Sequence, residues 1–171
     1  MGVTIHFEGN LKSPADFDNI VNTAKLFAET YGLDFSIFQE ENKVLERVKD
    51  EQPWDYQGAT KGLVINLPSC DPVNLEFDEN NHVQEFCKTQ FALVSIHILV
   101  IDLLRQIEPY FETLKVVDEG EYWESGDLPA LQQNLDACFH AIEDAKQKDK
   151  SLSGPYRLSN GRIVDLLSDH D

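Results

Sequence analysis

Within its first thirty residues the chain changes hydrophobic period, and that change limits the fold more than any other feature. Val3, Ile5 and Phe7 alternate with Thr4, His6 and Glu8, the period-2 mark of a strand with one buried face. Phe17, Ile20, Val21, Ala24, Phe27, Ala28 and Tyr31 then follow the i, i+3, i+4 spacing of an amphipathic helix. Ser13 as N-cap, Pro14 at the first helical position, Asp16 near the positive end of the dipole and Gly32 past the last turn predict a helix over 14–31. A chain that opens on a strand and passes directly into a helix belongs to neither the all-α nor the all-β class.

The remaining elements follow from the same two periods. Leu33, Phe35 and Ile37 predict a second strand, with a weaker segment at Val44, Leu45 and Val48. Residues 50–60, with Pro53, Trp54, Tyr56 and Gly58, have no period and read as an ordered loop. Three apolar runs between 62 and 87, separated by Pro68-Ser69-Cys70-Asp71-Pro72 and Asp78-Glu79-Asn80-Asn81, predict a three-stranded antiparallel meander. Ile96, Leu99, Val100, Leu103, Leu104, Ile107 and Phe111 predict the most buried helix, over 95–111, with Pro109 as its end or kink. Lys115–Val117 suggests one more strand. A last helix is expected after Asp127 as N-cap, with Leu128, Leu131, Leu135, Cys138, Phe139, Ile142 and Ala145 on its apolar face. This order fits an α+β fold: an antiparallel sheet of about five to six strands with two to three helices mainly on one face, in a split βαβ or TATA-binding-protein-like order. That likeness is one of element order and carries no function. At 171 residues a single domain is expected over 1–150. Residues 151–171 form a tail whose Ile163, Leu166, Leu167, Asp165, Asp169 and Asp171 make a short acidic amphipathic stretch, able to dock on this chain or to fray.

Charge narrows the partners. Fourteen basic against 31 acidic residues give a net charge of -17 and a pI near 4.5, which disfavours a grip on nucleic-acid phosphates or anionic lipid. The most apolar stretch, Phe91–Leu104, is broken by Ser95, His97 and Asp102 and is too short to span a bilayer. Between Lys61 and Lys88 there are five acids and no base, and between Lys115 and Lys146 eight acids and no base. These two segments predict one or two discrete acidic faces. Cys70, Cys87 and Cys138 are odd in number and follow a strand-like start rather than a leader, so reduced thiols and a cytoplasmic location are expected.

The strongest candidate site is the segment Asp118–Asp127, which places five acids with Tyr122 and Trp123 between a strand end and a helix start. Asp118, Glu119, Glu121, Tyr122, Trp123 and Glu124 are the candidate partner-binding residues here. Trp54 and Tyr56 are a second pair of aromatic anchors. If Asp118, Glu121 and Glu124 converge, their oxygens could hold Mg²⁺ or Ca²⁺, the basis of an alternative reading as a small divalent-metal-dependent hydrolase or phosphotransfer enzyme. No EF-hand loop accompanies them. Cys70, His82 and Cys87 lack zinc-ligand spacing, and alternation puts His82 and Cys87 on opposite faces of a strand. No Gly-x-Ser-x-Gly, His-Glu-x-x-His, Gly-x-Gly-x-x-Gly or P-loop signature is present, and nothing implies a cofactor. His97 reads as a hydrogen-bonded core histidine, His140 as marginal to its helix's apolar face, and His6 as solvated unless both faces of the sheet are covered. The expectation is a non-catalytic interaction protein whose acidic surface meets a basic protein partner, as an inhibitor, an immunity-type protein or a nucleic-acid mimic.

Overall fold

The computed structural model describes residues 2–168. It is α+β. The chain runs through β1 (Thr4–Leu11), α1 (Asp16–Tyr31), β2 (Phe35–Leu45), β3 (Val48–Lys49), β4 (Gln52–Pro53) and β5 (Tyr56–Ile65). It continues through β6 (Val73–Phe77), β7 (His82–Lys88), α2 (Val94–Ile107) and a 3₁₀ turn at Glu108–Tyr110 into β8 (Phe111–Asp118). The one-turn α3 (Tyr122–Ser125) and α4 (Leu128–Lys148) follow, and the tail adds β9 (Leu152–Ser153), β10 (Tyr156–Arg157), β11 (Ile163–Val164) and β12 (Leu167–Ser168).

The longer strands form two three-stranded antiparallel sheets, β7-β1-β8 and β2-β5-β6, rather than one sheet of five to six strands, and the two-residue strands pair as β3-β4, β10-β11 and β9-β12. The expected meander over 62–87 breaks after its second strand. Asp78 donates its backbone N–H to the His82 carbonyl at 3.0 Å and closes the turn, but β7 then pairs along its length with β1. Side chains explain the break. The Asp78 carboxylate caps the turn by accepting from the backbone N–H of Asn80 and His82 (2.8 and 3.1 Å), and the Arg47 guanidinium enters beside it.

Other boundaries moved for local reasons. The strand expected at 33–37 and the weaker segment at 44–48 belong largely to one long strand, β2, because a register shift between Glu40 and Lys43 interrupts the alternation without ending the pairing with β5. The expected loop at 50–60 holds β4, which closes a small hairpin with β3, and the start of β5. α1 begins at Asp16. Ser13 does not accept a capping bond from the first turn; instead the Asp16 carboxylate accepts from the Ser13 N–H and hydroxyl, both at 3.1 Å. Gly32 ends that helix at φ 65°, as its lack of a β-carbon permits. Asp127 caps α4 by accepting from the Ala130 N–H at 3.1 Å.

Burial follows most of each apolar stripe, but Tyr31, Leu128 and Phe139, expected on the stripes, are exposed, and Phe111, expected at the end of the helix over 95–111, opens β8 instead. Ile5, Phe7, Val83, Cys87, Leu114 and Val116 from one sheet and Leu63, Ile65, Leu75 and Phe77 from the other share a core with Ile20, Ala24 and Phe27 of α1 and with α2. α2 buries His97, Val100, Ile101, Leu103, Leu104 and Ile107. α4 contributes Leu131, Leu135, Cys138 and Ile142 to a second, smaller cluster with Val3. Among the described residues no helix is long and apolar enough to cross a membrane. The tail segment to Ser168 lies on the body, tied by Lys88 to Asp165 (2.9 Å) and by the Ile163 N–H to Asp71 (2.7 Å). Asp169 and Asp171 lie outside the described residues.

Candidate functional site

The segment 118–127 does not gather its carboxylates. Asp118 ends β8 with its side chain 1% exposed and accepts from His97 Nε2 at about 3 Å and from the backbone N–H of Gly120, Tyr122 and Trp123. Burial alone would raise its pKa, but the hydrogen bond and charge of His97, with the Trp123 and Gly120 amides, outweigh it and hold the carboxyl below its ordinary value. Glu119 lies along β1, accepting the Thr4 N–H at 2.7 Å and standing 3.6 Å from His6. Glu121 faces Asn134 at 3.4 Å, and Glu124 is exposed. Trp123 stacks on Arg105 of α2, 3.4 Å from guanidinium carbon to ring centre, and Tyr122 packs between the two core clusters. Among the described residues no three His, Cys, Asp or Glu side chains are grouped to hold a metal ion.

His97 makes a buried relay that the sequence did not reveal. Thr89 Oγ1 lies 2.6 Å from His97 Nδ1, and Asp118 lies on Nε2. The order hydroxyl, imidazole, carboxylate is that of a nucleophilic triad. Thr89 and His97 are 0% exposed, however, and a β-carbon at Gly120 would come within 3.0 Å of the imidazole and 2.7 Å of Leu131. A substrate has no route to the hydroxyl. The relay satisfies three polar groups inside the core and joins α2 to the end of β8.

The acids between Lys61 and Lys88 meet bases at the seam between the sheets. Glu76 accepts from Lys43 of β2 (2.9 Å) and Thr60 of β5 (2.7 Å). Arg47 donates to Asp78 at 2.6 Å and to the His82 carbonyl at 3.0 Å, while its Nε has no partner among the described residues. Trp54 and Tyr56 flank that guanidinium, with ring centres 5.9 and 5.6 Å away. Arg162 from the tail reaches Glu85 (2.8 Å) and Asp71 (3.4 Å). Burial is the largest influence on Glu85 and pushes its pKa up to about 7, against the pull of Arg162. Asp71, Glu76 and Asp78 are buried and only Glu79 of this stretch is fully in solvent, so no acidic face forms here. Cys87 points into the core against Cys70, with sulfurs 3.6 Å apart, whereas His82 lies on the other face beside Asn10 at 2.9 Å. Burial, and then the charge of Arg47, pull the His82 pKa below its ordinary value.

The helices leave the other face of β7-β1-β8 open. Cross-strand register sets three rows on it: Phe86, His6 and Val117; Gln84, Glu8 and Lys115; His82, Asn10 and Thr113. Residues 44–48 wall this face, because Gln84 holds Val48 through both its amide groups, accepting the Val48 N–H at 2.9 Å and donating to the Val48 carbonyl at 2.8 Å. Asn160 and Arg162 of the tail form the facing wall. The result is a cleft of about 800 Å³. A second hollow of about 620 Å³ shares Glu8, Val48 and Lys115 with it and reaches Trp54 and His82. Phe86, Val117, Val44 and Val48 are 39–58% exposed along the cleft, beside Glu8 and Glu46. Of the residues singled out from sequence, Trp54 lies at one end of this face and Glu119 beside His6 at the other. The face as a whole escaped sequence reading, although the polar alternation of His6, Glu8 and Asn10 was its available signal. Comparison with protein families, with curated proteins and with solved structures finds no match to the chain.

Proposed function

We propose that this protein acts by non-covalent recognition of a basic protein partner, which docks on the open face of the β7-β1-β8 sheet. The observation that carries the reading is the exposed group Phe86, Val117, Val44 and Val48 set among Glu8, Glu46 and Glu119, a mixture of apolar anchors and charged rim suited to a protein interface. The net charge of -17 favours a basic partner and speeds its approach at low salt. The alternative through Asp118, Glu121 and Glu124 has no support in their arrangement, since the first points inward at His97 and the others stand apart. Non-catalytic action also accords with the closure of the Thr89–His97–Asp118 relay.

The test is capture from an extract of the source cells on immobilised full-length protein. The expected result is a basic protein retained at low salt and released at high salt, lost with Glu8→Gln/Glu46→Gln/Val117→Ser and kept with Asp136→Asn/Asp144→Asn on α4. Equal capture by the wild type and the face variant would overturn the reading.

A further inference from the structure

The tail carries its own basic side chain into the cleft wall. β10 and β11 pair as a miniature hairpin, closed by the Leu158 N–H to Arg162 carbonyl bond at 2.7 Å and the Gly161 N–H to Leu158 carbonyl bond at 2.9 Å. Gly161 takes φ 86°, which the turn requires, and Arg157 braces it by donating to the Gly161 carbonyl at 2.6 Å. This hairpin presents Arg162 to β7. The guanidinium donates to Glu85 at 2.8 Å, to the Phe86 carbonyl at 2.9 Å and to Asp71 at 3.4 Å, and its carbon lies 4.0 Å from the centre of the Phe86 ring. Carboxylates at the fork, a carbonyl beside it and an aromatic face below are the features that distinguish arginine recognition from lysine recognition.

The hairpin's remaining hold is weak. Ile163 is buried and Leu166 just beyond the hairpin packs on the second core cluster, but Tyr156, Leu158 and Leu167 are 38–44% exposed, so besides Arg162 the hairpin is held mainly by hydrogen bonds, from Arg157 to the Cys70 carbonyl at 3.1 Å and from the Ile163 N–H to Asp71 at 2.7 Å. Segments with little apolar burial open without global unfolding. The receiving groups tolerate departure of the tail. Asp71 keeps the Lys88 N–H at 3.1 Å, and Glu85, which faces Lys43 of β2 and Glu76 of β6 besides Arg162, lies where a proton can replace the lost cation.

We infer that the Asp71–Glu85–Phe86 site is an arginine receptor, occupied in cis by Arg162, and that an arginine of the incoming basic chain displaces the tail hairpin from it. This rests on the reading of the open sheet face given above and adds the chemistry of its central contact.

Arginine amide is a direct probe. With full-length Arg162→Ala, the melting temperature should rise saturably with arginine amide by several degrees, respond little to lysine amide, and lose the response when Glu85→Gln is added. The wild type, its site filled, should respond less. A response in Arg162→Ala no greater than in the wild type, or equal for the two amides, would overturn the inference. Should Arg162→Ala fail to fold, hydrogen exchange on the wild type decides. Excess arginine amide should speed exchange at Leu158, Gly161 and Ile163 while α4 stays protected, and no change there would count against the site. No partner is needed for these measurements. Failed rescue removes the receptor and leaves the face reading standing, whereas face variants that do not alter capture remove the face reading and the incoming chain with it, and leave the arginine amide response of the site unchanged.

Discussion

Between Lys61 and Lys88 the carboxylates of Asp71, Glu76, Asp78 and Glu85 turn inward to distant bases, whereas between Lys115 and Lys146 Asp118 turns inward and Glu119, Glu121, Glu124, Asp127, Asp136 and Asp144 stay in solvent. The two stretches are alike in lacking a basic residue. They differ in the elements that carry them. Glu76 lies on β6, which is covered on both faces, so alternation offers its carboxylate no route to water and it needs a cation or a hydrogen bond. Glu119, Glu121, Glu124 and Asp127 lie on the exposed segment between β8 and α4, and Asp136 and Asp144 lie on the uncovered side of α4, which buries one stripe only. Charge density along the chain therefore says little about charge on the surface.

The sharpest way to break this contrast is to remove a base from the seam. Arg47→Met should cost about 3–5 kcal/mol, because it leaves the buried Asp78 carboxylate without its cation. Urea denaturation checks this, and a loss below about 1 kcal/mol would mean that the seam acids are as independent of their partners as surface ones.

Glu85 sets the pH response of the same seam. Its folded pKa lies above its unfolded one, so the native state keeps the proton longer and stability falls as pH rises from 4.5 to about 7. The fall amounts to about 3 kcal/mol at most from this group. Glu85→Gln should flatten that window and raise stability at higher pH. Thermal unfolding across the window reads both effects, and an unchanged slope would show that Arg162 compensates the burial fully.

Asp118 is the member of the second stretch that resembles the first. Asp118→Asn should cost about 2 kcal/mol, since one amide cannot serve His97 and three backbone N–H groups equally. The sign of its pH dependence is opposite to that of Glu85. A depressed carboxyl contributes stability above its unfolded value near 3.8 and loses it as pH falls through the folded value, so Asp118→Asn should soften acid unfolding. The smallest effect belongs to the exposed acids: Glu124→Gln and Asp144→Asn should each change stability by less than about 0.5 kcal/mol. A larger loss at either would erase the distinction between the stretches.

Much of the fold was legible because helix and strand periods are local. The apolar stripes of α1, α2 and α4, the Gly32 stop and the Asp127 cap all stand in the sequence within a few residues of their effect. The long β2 was not, since its register shift hides the alternation, and neither was the split between β6 and β7. Of the candidate site, Trp54 and Glu119 border the open face, but Asp118 is a core residue. The cleft's third wall comes from a tail that in sequence reads only as a short amphipathic end.

By itself the sequence determined the fold class, the three long helices and the net charge, because each depends on near neighbours or on composition alone. Which acids would be buried, and which face would remain open, was decided by the tertiary structure. Arg47 is 31 residues from Asp78 and Arg162 is 91 from Asp71, and only the folded chain brings each cation to the carboxylate it neutralises.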